Sequence, residues 1–457
     1  MTRKAKIEKL IYRGWAEGED LVTKEKILLR WALPGERVEY RFFRRKKGVI
    51  LADLTAIVKP SPWRIKPRCS WFGRCGGCSW SNLTYQQELA WKEWVIREVF
   101  ETVAQVDLQE KINPIIRSKR RYGYRGKTEL TFSLDPKGQL VAGFHQPGRP
   151  DQVLAIDRCW LHRPIVNQAL MALRRILPQT SLPVYQPRTG QGVLRSIIFR
   201  TNREEELLIG LIVENQEKMS LKEKRLWLDQ FRQQLGKQLV SFWLIKERRR
   251  PGEPVEVAKE HWWGAEFLTE AVAGIDWPIG PLSFFQNNAE QAEKMIDQLR
   301  RWTKSHLASS ARLLDLYAGT GFLSLPLAHL VAEVVAVEID AEAVVLGQKL
   351  IQARKVKNYQ FFLGDSSRVL TRLLEQGLSF EAVIIDPPRA GLSKKTLRSL
   401  LMLRPQFIFY ISCSPVSQAR DLAYLIKKGG YRLIELQPID MFPCTWHVES
   451  MALLRRQ

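Results

Sequence analysis

Residues 311–328 read ARLLDLYAGTGFLSLPLA, from Ala311 to Ala328. An apolar run of strand length ends near Asp315, a glycine turn follows, and a helical stretch begins. Gly319 and Gly321 let the backbone bend and allow a ligand to approach without a Cβ in the way. The next apolar run, EVVAVEID, ends with Glu338 about twenty residues on, placed to accept hydrogen bonds from ribose hydroxyls. Working outward from about Asn287, the runs YQFFLG, EAVIID and QFIFYIS alternate with helical segments. Continuous apolar strands separated by helices predict a parallel sheet covered on both faces.

The chain upstream has a different texture. Residues 6–59 form short alternating runs with Gly and Pro between them, the pattern of a small β-barrel. Pro60-Ser61-Pro62-Trp63 is a stiff exit from it. Clustered cysteines and an amphipathic helical stretch from Thr84 to Val103 follow. Residues 112–285 mix strand-like runs with helices around 164–177 and 219–235, an α+β pattern with an antiparallel sheet. The expected architecture is multidomain: a small TRAM/OB-like β-barrel over 1–61, a central α+β domain over 62–285, and an α/β Rossmann-like domain over 286–457.

Composition narrows the function classes. The 457 residues carry 71 Lys plus Arg against 48 Asp plus Glu, a net charge of +23. Self-repulsion on that scale favours a polyanionic partner, and nucleic acid comes before acidic membranes. Basic runs lie at Arg44–Lys47, Ser118–Lys127 and Lys246–Arg250, the second interleaved with Tyr122 and Tyr124. That mix grips phosphates while stacking unpaired bases. The greasiest stretch, Phe322 to Val337, is broken by Pro326, His329 and Glu333 and falls short of the roughly 20 residues of a membrane span. No secretory signal is visible at the start. Six cysteines are too few for a disulfide scaffold, so a cytoplasmic location is expected.

Nicotinamide and flavin binders usually show G-x-G-x-x-G, whereas Ser324 stands at the third glycine position here. The D-x-x-x-G-x-G turn instead resembles the first motif of class I methyltransferases, which bind S-adenosylmethionine. Asp365 closes the third strand, where a carboxylate reaches an adenine or, alternatively, caps the helix that follows. Asp386, beside two prolines, stands at the mouth where open α/β sheets bind ligands. Cys413 follows the fifth strand, the position of a displayed nucleophile, although a thiol in an apolar strand is otherwise inert packing. Glu449, after His447, is a candidate base. A thiol, a base and a sulfonium methyl donor suggest methylation at carbon 5 of uracil, which needs thiolate addition at carbon 6 to become nucleophilic. Gln286 and Asp386 would hold the base edge.

The motifs SFFQNN (Gln286), DLYAGTG (Tyr317, Gly319), VEID (Glu338), IDPPRAG (Asp386, Arg389), SCSP (Cys413) and FPCTWHVES (Glu449) together resemble the RNA uridine-5-methyltransferase family, over almost the whole chain. The resemblance implies Cys413 as nucleophile and Glu449 as base. It implies a cofactor pocket of Gln286, Tyr317, Gly319, Glu338 and Asp386, with Asp365 following by position. It also implies that Cys69, Cys75, Cys78 and Cys159 hold a 4Fe–4S cluster, against the alternatives of zinc and a disulfide. The implied substrate is a uridine of 23S ribosomal RNA, with the tRNA T-loop as the rival; a non-catalytic RNA-binding factor is the alternative from another class. Base flipping makes an RNA loop a better target than a duplex, and a monomer is expected. Ser414, Ser417, Cys444, Gly126 and Ser81 depart from the family's usual residues.

Overall fold

In the computed structural model, which describes residues 3–214, 219–249, 253 and 255–457, the stretch around Asp315 forms the expected strand and glycine turn, while the expected helix is a short 3-10 helix at Leu325–Leu330. Strand β1 (Arg312–Leu316) enters the glycine turn and is followed by β2 (Glu333–Glu338), β3 (Tyr359–Leu363), β4 (Ala382–Ile385), β5 (Phe407–Ser412), β6 (Tyr431–Ile439) and β7 (Glu449–Arg456). They form one sheet in the order β3-β2-β1-β4-β5-β7-β6. Neighbours among β1 to β5 pair in parallel, with helices in the connections. Strand β7 runs antiparallel between β5 and β6. Only a loop joins β6 to β7, and parallel neighbours need a crossover of about a dozen residues or more. Strands β4 and β5 are buried throughout, as expected where helices cover both faces of a sheet.

The chain divides into two compact units. The first joins Met1–Arg64, Leu83–Lys119 and Glu290–Gln457. Its first five strands, Arg3–Ile11, Trp15–Asp20, Lys26–Arg30, Arg37–Lys46 and Val49–Lys59, close into a barrel. Ala5 and Ile7 alternate inward along the first strand, a bulge between Ile7 and Lys9 shifts the next buried position to Leu10, and Ala16 is buried on the second strand. Gly18 permits the close strand approach there, because a Cβ would sit 2.2 Å from the Lys6 carbonyl oxygen. The helical stretch expected over 84–103 is an α-helix at Tyr85–Val99 ending in a π-helical turn at Phe100–Ala104.

The second unit joins Ile65–Asn82 and Arg120–Ala289. Its main sheet has seven strands, with helices Pro164–Ile176 and Leu221–Leu235 contributing Leu173, Trp227 and Phe231 to its core. The antiparallel expectation needs one correction. Strands Leu207–Glu214 and Leu239–Arg248 pair in parallel, because helix Leu221–Leu235 carries the chain back to the starting edge between them. Among the described residues, no helix is long and apolar enough to cross a membrane.

Candidate active site

The carboxyl ends of β1 to β4 gather the residues that the sequence marks as a cofactor pocket. Tyr317 takes a left-handed backbone (φ 65°) as the chain leaves β1, and Gly319 and Gly321 follow at φ 56° and 84°. A Cβ on Gly319 would meet nothing within 4 Å, whereas on Gly321 it would lie 2.6 Å from the Tyr359 hydroxyl. The first glycine therefore leaves open space for a ligand, and the second lets the turn pack onto the sheet. Gly319 N–H donates to Glu338 Oε2 at 2.8 Å, while Glu338 Oε1 accepts from the Ile339 and Asp340 amides. The carboxylate thus ties the turn of β1 to the end of β2. Beneath it, buried Asp315 accepts from Ser324 Oγ at 2.5 Å. Burial, offset in part by Ser324 and reinforced by Asp386 and Glu338, pushes the Asp315 carboxyl up to about 8.

Asp365 is the N-cap of helix Ser366–Glu375, its Oδ1 accepting from the Ser367 and Arg368 amides and from Ser367 Oγ. The helix-cap reading of that residue is realised, with the carboxylate still standing at the mouth of β3.

The nucleophile and base candidates meet through strand register. Ser412 at the end of β5 pairs with Ser450 in β7. Cys413 follows Ser412 as the chain leaves β5 and Glu449 precedes Ser450 in β7, so both stand at the same end of this strand pair, close enough for the Glu449 charge to act on the thiol. Glu449 is buried. Burial and the nearby Asp386, against the opposing Arg389, push its carboxyl up to about 8. Cys413 is pushed up to about 11 by burial and by the charge of Glu449, while Arg389 pulls the other way. Asp386 is pushed up to about 7 by burial. Two carboxyl groups and one thiol thus act on one another, with Arg389 as the counter-charge. The sequence placed Arg389 in IDPPRAG without giving it a role.

A second feature had no single-residue signal beyond an i, i+4 spacing. In helix Tyr85–Val99, Lys92 is fully buried and its Nζ donates to Glu88 Oε1 (3.0 Å), Asp440 Oδ1 (2.5 Å) and the Phe442 carbonyl (3.1 Å). Glu88 also accepts from the Cys444 amide at 2.6 Å, and Asp440 accepts from Tyr85 Oη at 2.7 Å. The loop from Asp440 into Glu449 is therefore held by a helix some 350 residues earlier. Cys444 is buried at φ 67°, a backbone support rather than a displayed thiol.

The remaining site candidates lie in the second unit. Gln286 lines a small cavity with Lys127, Arg163, Arg200 and Glu270. All six cysteines are free thiols, which excludes the disulfide alternative in this structure. The loop Cys69–Cys78 is tied to the Cys159 loop by Trp71 Nε1 donating to Asp157 at 2.5 Å. Asn167 clamps Cys159 by accepting from its amide and donating to its carbonyl. Cys75 feels the charge of Cys69, and Cys159 that of Cys75. Among the described residues, no group of three or more His, Cys, Asp or Glu side chains converges closely enough to hold a metal ion. The expected cluster therefore rests on its donor set, four thiols on two tethered loops.

The basic runs fare unequally. Arg44–Lys47 is exposed. In the third run Lys246 and Arg249 pair with Glu260 and Glu247, and Arg250 lies outside the described residues. Tyr124 is buried and offers no stacking face, contrary to expectation, whereas Tyr122 stays partly open under Arg68.

A glycine turn joined to an acid at the end of the second strand, in a sheet of this order, defines an S-adenosylmethionine-dependent methyltransferase fold. The chain belongs to the tRNA (uracil-5-)-methyltransferase family, whose model matches residues 84–457, and it is an RNA (uracil-5-)-methyltransferase. It is 32% identical over 456 residues to an uncharacterized RNA methyltransferase of Thermosynechococcus vestitus, covering 99% of this chain and 98% of that one. An uncharacterized RNA methyltransferase of Caldanaerobacter subterraneus subsp. tengcongensis is 30% identical over 453 residues, with the same coverage. The fold is shared with Pyrococcus abyssi tRNA (uracil-54, C5)-methyltransferase, solved in complex with S-adenosyl-L-homocysteine. The TM-score is 0.74 at 24% identity, over 99% of this chain and 100% of that one.

Proposed function

We propose that this protein methylates carbon 5 of a specific uridine in 23S ribosomal RNA through a transient bond between Cys413 and carbon 6. S-adenosylmethionine, bound against Tyr317, Gly319, Glu338, Asp365 and Asp386, supplies the methyl group on a positively charged sulfur; Gln286 is assigned to the cofactor by its family motif. Cys413 as thiolate bonds to carbon 6, and the ring double-bond electrons move toward carbon 5, which takes the methyl group. Glu449 as carboxylate then removes the carbon 5 proton, and the returning electrons expel the thiolate. Arg389 favours the thiolate, and Asp386 holds the edge of the uracil. The observation that carries this reading is the placement of Cys413 and Glu449 at one end of the β5–β7 pair, next to the paired Ser412 and Ser450, with the Glu449 charge bearing on the thiol.

The four cysteines Cys69, Cys75, Cys78 and Cys159 are proposed to hold a 4Fe–4S cluster with a structural role, supported by their free thiols and the Trp71–Asp157 tether. The TRAM-like barrel is proposed to bind RNA, and the protein to act as a cytoplasmic monomer. The ribosomal substrate is favoured by cluster and barrel together. A tRNA T-loop uridine is the second reading, favoured by the family description and the Pyrococcus relative. Mapping 5-methyluridine in total RNA from cells with and without the protein tests both. Loss of one 23S site supports the first, loss of the T-loop site the second, and no lost site refutes both.

A further inference from the structure

Next to Cys413, the wall of the pocket is shared with the barrel. Tyr12 Oη and Ser414 Oγ are hydrogen-bonded at 3.2 Å, across 402 residues of chain. The Tyr12 ring meets the Trp446 ring edge-on, with centroids 4.9 Å apart and planes at 79°. Trp446 packs in turn on His447 at 3.9 Å, two residues before Glu449. A cleft of about 700 Å³ opens here, with Trp15 on its barrel side and Arg389 on its catalytic side.

The charge of the cleft is one-sided. Arg13, Arg30, Arg44 and Lys46 line it, and no Asp or Glu does so among the described residues. Elsewhere on the barrel several cations have partners, Lys26 with Glu17 and Arg45 with Glu25 among them. Arg30 lies over the Trp15 ring, 4.4 Å from its centroid. Unpaired cations interleaved with indole faces are the arrangement that holds a sugar–phosphate chain while stacking its bases. A volume within the range of about 300–1,000 Å³ typical of ligand pockets suits one or two nucleotides rather than a helix. A duplex would present stacked bases that the indoles do not reach.

We infer that this cleft binds the single-stranded RNA flanking the target uridine, with Trp446 and Trp15 stacking the neighbouring bases and the four cations meeting its phosphates. The inference rests on the uridine chemistry proposed above, and it adds a determinant of which uridines can be reached. Tyr12 is a positioning residue: its bond to Ser414 and its edge contact fix the plane of Trp446.

The test uses the full chain and a fluorescently labelled single-stranded oligouridylate of about twelve nucleotides, within the usual range of single-strand binding sites. Anisotropy titrations are run on this probe, on the same strand annealed to its complement, and over a salt series. The single strand should bind more tightly than the duplex. Trp446→Ala should weaken it about tenfold or more and Trp446→Phe less than about threefold, neither changing the salt slope. Arg44→Gln should lower the slope of log affinity against log salt by about 0.7. Equal binding of both probes, or undiminished affinity in Trp446→Ala, overturns the inference. Cys413→Ser separates the two readings. Retained methyl transfer in that variant, alongside weakened binding in Trp446→Ala, removes the uridine chemistry and leaves the cleft standing; the converse pair removes the cleft alone.

Discussion

Replacing Lys92 by Met removes one positive charge from a fully buried cluster of two carboxylates and one ammonium. In the wild type, burial acts against the Lys92 charge, but Asp440 and Glu88 outweigh it and hold its pKa above the ordinary value. In Lys92→Met the two buried carboxylates would lose the ammonium they share, and their mutual repulsion drives one of them to take up a proton. Placing a proton at pH 7 on a group whose ordinary pKa is near 4 costs about 4 kcal/mol, three pH units at about 1.4 kcal/mol each. That agrees with the range of about 3–5 kcal/mol for removing one partner of a buried pair. The loss should therefore depend on pH, shrinking by about 1.4 kcal/mol for each unit below 7. Urea denaturation of both proteins at pH 5, 6 and 7 measures it. Lys92→Met combined with Asp440→Asn should recover most of the stability. A loss under about 1 kcal/mol at pH 7, or one that does not vary with pH, would refute the reasoning.

Cys413→Ser should abolish methyl transfer and the covalent complex with 5-fluorouridine RNA on a denaturing gel, and a surviving complex counts against Cys413. Glu449→Gln should cut turnover by about 10²–10⁴-fold while the protein–RNA adduct accumulates, because the carbon 5 proton is left without an acceptor. Glu449 and Asp386, pushed up to about 8 and 7, bind more protons folded than unfolded. Their contribution to stability is thus full below pH about 4 and lost as pH rises through about 7–8. The urea midpoint of the wild type should fall over that window more steeply than that of Glu449→Gln, and equal slopes would exclude Glu449 as the titrating group. Cys159→Ala should lower iron content and visible absorption in anaerobically purified protein before it lowers turnover per folded molecule, and unchanged iron content would remove Cys159 from the ligand set.

The methyltransferase half was legible because its signals are local. The glycine turn with Asp315 and Glu338 needs only the spacing of a strand, a tight bend and a second strand, and the apolar runs announce a sheet buried on both faces. Helices Pro164–Ile176 and Leu221–Leu235 were read within a few residues for the same reason. The parallel pair in the second unit was not legible. Apolar periodicity marks a strand but carries no direction, and a crossover helix looks the same whichever edge it returns to. Tyr124 misled in a similar way: an aromatic among arginines reads as a stacking face until burial is known.

By itself the sequence determined the chemistry available to this protein: a thiol at the end of one strand, an acid at the start of another, and a glycine turn shaped for a nucleoside. Each of these is encoded by residue type and by spacings of a few positions. Tertiary structure alone decided that Cys413 and Glu449 stand at the same end of one strand pair, that Lys92 braces the loop before Glu449, and that Tyr12 of the barrel touches Ser414. Those contacts join residues up to about 400 positions apart. They follow from which surfaces match in shape and charge once the local elements exist, and no short-range pattern specifies that match.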